Sequence, residues 1–431
     1  MEKSYTVQVG LSSSRIRDKV DNLLVSELMI GLAYFLLLFE NALQTQISDI
    51  FSYLDEIICL LFFFAASIKQ LSSFRRGTLT VYEKRMLILV VVLCCIGLSG
   101  NLLYGVQSSI SAIVIDLFTC SKFVLAYVSF NIVFANSNCK SVASLCVAIS
   151  KLFIVVAFVC MLTNQFVGIG MSWEQRFGIE AFVFLFGHPS NFAAAVVGAF
   201  ALFLVDPKKN RFSLVCCVFL LISTLRFKAI AFVAVILLAI FAFRKLSRIT
   251  FGFVFLASVV AFVAASYQLD IYLNGDTARG FLLASSFEVA NGAFPFGSGF
   301  GTYGSDVTKD AYPSLYTALG FQNVYGLTSS NPIYLADMFY STIIAQCGWI
   351  GIVLFCIILL LLFIDVTKVS RANGVYFWAA ISIPIYLIIA STSESSFFSS
   401  YSVYLALCLV AILRNSRNGV LVLAGKGTRQ Q

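Results

Sequence analysis

Nearly every Lys and Arg between the apolar runs of this sequence falls in alternate connections, and that alternation constrains the fold more than any other feature. Short connections rich in Lys and Arg stay on the cytoplasmic side of a membrane, so a chain that alternates cation-rich and cation-poor connections reads as one threading a bilayer. Apolar runs lie near 23–40, 50–68, 86–104, 109–134, 148–168, 190–205, 212–225, 228–243, 249–266, 346–364, 375–392 and 398–414. Each approaches the roughly 20 residues that cross about 30 Å of hydrocarbon. A hydrophobic fraction of 60% beside only 12% charged residues excludes an ordinary soluble domain. The expected fold is all-α: a polytopic integral membrane protein of about twelve transmembrane helices with both termini cytoplasmic.

The organisation is asymmetric. Residues 1–266 hold the first nine expected helices, 267–345 form one large outer segment, 346–414 hold the last three helices, and 415–431 read as a cytoplasmic tail. The N-terminal stretch before the first apolar run is polar and charged, and no cleavable signal is visible in it. The net charge of +8 follows from the topology signal and gives no reason to expect a nucleic-acid partner. None of the 12 cysteines falls within 267–345, so neither a disulfide framework nor a zinc site is indicated.

A few cations defy the alternation. Arg176, Arg226, Lys228, Arg279 and Lys309 fall on the expected outer side, while Lys122 and Lys151 fall inside spans. Cations placed against the orientation rule need another reason to be there, and an anionic substrate outside the membrane supplies one. The run 212–243 is too long for one span and short for two, so a hairpin of two short helices is expected, turning at Ser223–Lys228 below the outer surface. Arg226 and Lys228 would then sit in a protein-lined cavity, because neither faces lipid cheaply. Asp55 and Glu56, inside the second apolar run, either pair with one of these recessed cations or lie at the outer boundary of a span that starts later, and Lys122 and Lys151 are either structural partners of acids or markers of displaced span boundaries.

The outer segment opens with Asp270, Asp276 and Arg279 and continues into Phe294-Pro295-Phe296-Gly297-Ser298-Gly299-Phe300-Gly301-Thr302-Tyr303-Gly304-Ser305. Without a flanking βαβ unit this glycine run is no dinucleotide fingerprint. It reads instead as a backbone able to approach a ligand closely, with Gly299, Gly301 and Tyr303 as substrate-binding candidates. Tyr267, Tyr272, Tyr312, Tyr316, Tyr325, Tyr334 and Tyr340 add an aromatic character suited to sugar rings, and Tyr340 is a further candidate. Asp337, just ahead of the span that begins near Gly348, is the candidate proton acceptor. The lone histidine, His188, stands in Gly187-His188-Pro189-Ser190 at a helix entry and faces the same side.

Taken together, these features resemble the superfamily of O-antigen polymerases (Wzy) and O-antigen ligases over roughly residues 170–365. The resemblance rests on the hairpin with Arg226, on Arg279 ahead of Pro295-x-Gly297-x-Gly299-x-Gly301, and on the Gly348-x-x-Gly351 span. Arg176 and Gly187 match the Arg-x10-Gly loop pattern of the polymerases, whereas the second loop departs from it, with Ala290 after Arg279 and Gly only at 292. Asp337-Met338 stands where the ligase branch carries a His-Asn pair, which favours the polymerase branch. The resemblance implies a GT-C-like membrane glycosyltransferase of the bacterial inner membrane, working on its periplasmic face without metal or other cofactor. Its substrate would be an undecaprenyl-diphosphate-linked oligosaccharide, with a chain-length regulator as partner in the same membrane. On this view Arg226, Arg279 and Asp337 are catalytic, and Lys228, Arg176 and His188 bind substrate. The alternatives are a ligase acting on lipid A core, and a flippase for lipid-linked glycans.

Overall fold

A computed structural model describes residues 27–72, 79–135, 139–176, 178–245, 277–370 and 374–427. The expected span 249–266, together with Tyr267, Asp270, Tyr272 and Asp276, lies outside the described residues. Elsewhere helices occupy the expected positions. They run α1 (Glu27–Gln46), α2 (Leu54–Ser72, entered through a 3-10 turn at Asp49–Tyr53), α3 (Val81–Tyr104), α4 (Ile110–Phe134) and α5 (Cys139–Val167). There follow α6 (Pro189–Phe203), α7 (Arg211–Ser223), α8 (Phe227–Lys245), α9 (Ala278–Gly292), α10 (Val307–Asp310), α11 (Ser314–Ala318), α12 (Phe339–Ser370), α13 (Gly374–Ala390) and α14 (Tyr401–Gly427). Among the described helices six are long and apolar enough to cross a membrane: α1 to α5, with α2 counted from its 3-10 turn, and α12.

The connection between α5 and α6 carries a hairpin: Ser172–Arg176 (β1) and Ile179–Phe182 (β2) pair antiparallel, with Gly178 turning the chain at φ 77°. The last helix, α14, runs past the expected span 398–414 as far as Gly427.

Local chemistry explains the helix starts. Thr80 and Glu83 form a reciprocal capping box on α3, Ser109 caps α4, and Thr277 caps α9. The hub of the bundle is α6, in which every residue except Asn191 is buried. Its run Ala193-Ala194-Ala195 and Gly198 let neighbours close in, and a Cβ at Gly198 would run into the ring of Tyr404 on α14. Against it pack α14, α7, α13 and α5, while α3 packs along α12, α2 along α4, and α4 along α14.

The glycine-rich loop Gly297–Gly304 explains a break in α12. Gly348 adopts φ 65°, ψ −166°, and a Cβ there would collide with the carbonyl of Pro295 and the amide of Gly297. The carbonyls of Ala345 and Gln346 instead accept from the amides of Ser298 (2.9 Å) and Gly299 (3.0 Å). Beyond the loop, Tyr303, Tyr316 and Phe321 build a small second core, with Tyr316 stacked on Phe321 at 4.4 Å between ring centroids.

Candidate functional site

Four connections that are distant in sequence meet around one cavity of about 880 Å³. The hairpin contributes Trp173, Glu174 and Arg176. Strand side chains normally alternate between faces, but a bulge between Ser172 and Gln175 breaks the alternation and aims both Trp173 and Glu174 at the cavity. The N-terminus of α6 adds His188 and Ser190. The corner between α7 and α8 turns through Leu225 at φ 50°, an unusual value for a non-glycine residue, and delivers Arg226, Phe227 and Lys228. The segment from Thr277 to Asp337 supplies Arg279, Tyr334 and Asp337, and the connection after α13 supplies Ser393 and Glu394.

The charges are interleaved. Arg176, Arg226, Lys228 and Arg279 face Glu174, Asp337 and Glu394, which leaves the lining one positive charge in excess. Arg279 Nη2 donates to Asp337 Oδ2 at 2.8 Å, and Lys228 pairs with Glu394, which also accepts from the Tyr401 hydroxyl. Glu174 Oε1 is shared, taking Arg176 Nη2 at 2.6 Å and Arg226 Nη2 at 3.4 Å. It is also the most exposed of the carboxylates, at 46% against 16% for Arg226.

Burial sorts the carboxyls into two kinds. It pushes the Asp337 carboxyl above its usual range, and the Arg279 guanidinium reverses this only in part. Burial is the largest single influence on Glu394 too, but the Lys228 ammonium and the Tyr401 hydroxyl together outweigh it and hold that carboxyl below its usual range. His188 moves the other way: burial and then the Arg226 charge push the imidazole down to about 4, so the ring is neutral at pH 7. A cavity with fixed cations, one carboxylate tuned upward and one tuned downward has the parts needed to hold an anionic leaving group and accept a proton.

Six of the sequence-predicted residues are therefore brought together: Arg176, His188, Arg226, Lys228, Arg279 and Asp337 all line the cavity. Four are not. Gly299 lies against Asn101 of α3, whose side chain bonds both the amide and the carbonyl of Phe300. Gly301 donates to Asp116 Oδ2 at 2.6 Å and accepts from Gln107 at 2.6 Å. The glycine run thus lets backbone meet α3, α4 and the connection between them. Tyr303 is fully buried and bonded to Ser285 and Leu282, and the Tyr340 hydroxyl donates to the carbonyl of Ile388. Of the expected outer tyrosines, Tyr334 lines the cavity. Lys309 pairs with Asp306 at 2.6 Å, outside the lining.

Glu174 and Glu394 escaped the sequence reading, which among the acids singled out Asp55, Glu56, Asp270, Asp276 and Asp337 and passed over these two. A signal existed for both. Glu394 is the last acidic residue in the chain, alone in a serine-rich stretch between two apolar runs, and Glu174 lies two residues from Arg176. The chain matches no protein-family model and no curated protein.

Proposed function

We propose that the chain is a bacterial inner-membrane polysaccharide polymerase of the Wzy type. It transfers a growing glycan from undecaprenyl diphosphate to the next lipid-linked repeat unit, in a membrane-embedded bundle of about twelve spans whose cavity faces the periplasm. The observation that carries this reading is the meeting of Arg176, Arg226, Lys228 and Arg279 with the upward-tuned Asp337 in one cavity.

The chemistry follows from those groups. As the sugar C1–O bond to the diphosphate breaks, negative charge grows on the leaving phosphate, and guanidinium forks fixed beforehand stabilise it. Arg226 and Arg279 hold that charge, with Arg176 and Lys228 beside them. The acceptor hydroxyl forms the new C1–O bond and passes its proton to Asp337, which leaves Arg279 as the diphosphate takes its place. Glu394 holds Lys228 in position.

The test is reconstitution of the purified chain with undecaprenyl-diphosphate repeat units and no other addition. The expected result is a ladder of products on a gel. Transfer only after a lipid A core acceptor is added would replace the polymerase with a ligase. Movement of intact units between leaflets without any change in length would overturn the enzyme reading altogether.

A further inference from the structure

His188 and Arg226 face each other in a way that neither can satisfy alone. The amide of Ser190 donates to His188 Nδ1 at 3.3 Å as the cap of α6, a bond that requires Nδ1 to carry no proton. In a neutral imidazole the proton must then sit on Nε2. Nε2 lies 3.3 Å from Arg226 Nη2, which is itself only a donor. In that tautomer the two N–H groups cannot bond one another; the Nη2–Nε2 contact becomes a hydrogen bond only with the proton on Nδ1, which would end the cap. Arg226 Nε, buried, has no hydrogen-bond partner either. The acceptor at hand for Arg226 is Glu174 Oε1, 3.4 Å from Nη2, on the half-exposed edge of a two-stranded hairpin.

We propose that His188 is a neutral Nε2–H donor that joins Arg226 to bind a phosphoryl oxygen, and that the Glu174 carboxylate holds the place of that oxygen until the diphosphate arrives. This rests on the reading of the cavity as a diphosphate site. It also removes His188 from proton transfer, because Nδ1 is committed to the cap and Nε2 already carries its hydrogen. The groups that act on the ring are Arg226, Glu394, Lys228 and Glu174, and burial with Arg226 outweighs the carboxylates in keeping it uncharged.

His188 is the single histidine of the chain, so its ring can be observed directly. The full-length protein, labelled with 15N-histidine and held in lipid, should show the Nε2-protonated neutral tautomer between about pH 5.5 and 8. Inorganic pyrophosphate, its binding followed in parallel by calorimetry, should shift the Nε2 resonance. A ring protonated on Nδ1, a cationic ring at pH 7, or saturating pyrophosphate with Nε2 unmoved would overturn the proposal while leaving the diphosphate site standing. Absence of any pyrophosphate binding would take the site down with it. Two variants separate donor from cap. His188→Asn keeps a good capping side chain and loses the donor, and should weaken pyrophosphate about tenfold. His188→Gln places an amide N–H near the Nε2 position and should stay within about threefold. The opposite ranking would reduce His188 to a helix cap.

Discussion

Among the described residues, a charge cluster at Lys122 and another at Arg226 are folded into this apolar bundle, and they differ in what surrounds them. Glu40 on α1, Asp55 on α2 and Lys122 on α4 form a closed set: Lys122 Nζ meets Asp55 Oδ2 at 2.6 Å, and the Asp55 amide donates to Glu40 Oε1 at 3.2 Å. The Lys122 and Asp55 side chains are only 4% and 1% exposed, and none of the three residues lines the cavity. The second cluster borders about 880 Å³ of space, and its ion pairs are drawn from a hairpin, a helix corner and two connections. An ionisable group inside a membrane bundle is by default a functional candidate. The comparison refines that default: charge enclosed on every side ties helices together, whereas charge facing room can exchange its partner for a ligand.

The sharpest way to break the comparison is to remove a cation from each cluster. Lys122→Ala strands Asp55 and Glu40 without their cation, and breaking one side of a buried pair costs about 3–5 kcal/mol. The expected outcome is a large drop in the thermal midpoint of the solubilised protein, with activity per folded molecule preserved. Arg226→Ala and Arg279→Ala should do the reverse. Each should lower polymer formation by about 10² to 10³-fold, the size of effect seen when one donor is taken from a transition-state site, with insertion and midpoint nearly unchanged. Arg279→Lys keeps the charge and loses the fork, and an activity about tenfold below the parent chain is expected. If Lys122→Ala abolished chemistry in folded protein, the closed cluster would have to be counted as part of the site.

A smaller effect sharpens the assignment of Asp337. A base must be ionised to accept a proton, and burial sets this carboxyl above the usual range, so polymer formation should fall on acidification at a pH above that of an ordinary aspartate. Arg279 opposes the shift, so residual activity in Arg279→Gln should fail at a still higher pH. An acid limb that stayed put in Arg279→Gln would remove Asp337 from the role of base and leave the limb to another group.

How much of this was legible beforehand divides along the same line. The alternation of cations located the helices and singled out Arg176, Arg226, Lys228 and Arg279, because each of them costs energy unless something holds it. The corner at Ser223–Lys228 was legible from length alone, since 212–243 fits neither one span nor two full ones. The glycine run was not. A backbone that admits close approach says nothing about what approaches, and here the partners are Asn101, Gln107 and Asp116 on α3, the following connection and α4. Tyr303 and Tyr316 failed for a related reason: a ring suited to a sugar is equally suited to a core, and only tertiary packing decides. Lys122 fell inside a span, and the sequence offered Asp55 to the recessed cations Arg226 and Lys228; its pairing with Lys122 follows from α2 and α4 lying side by side, which only tertiary packing decides.

The smallest expected effect tests where the open cluster ends. Lys309 sits on the same expected side as the four cavity cations and violates the alternation as they do, so the sequence pattern alone gives it equal standing. In the fold it belongs to a single-turn helix and pairs with Asp306 three residues away, an arrangement that contributes little in either direction. Lys309→Ala should therefore change polymer formation by less than about twofold and leave the thermal midpoint where it was. A loss approaching that of Arg279→Ala would mean that the anionic substrate extends past Asp337 onto the surface around α10, because long-range attraction alone is screened beyond about 8 Å at physiological salt. Repeating the assay at raised ionic strength separates the two causes, since a direct contact survives salt that removes a steering effect.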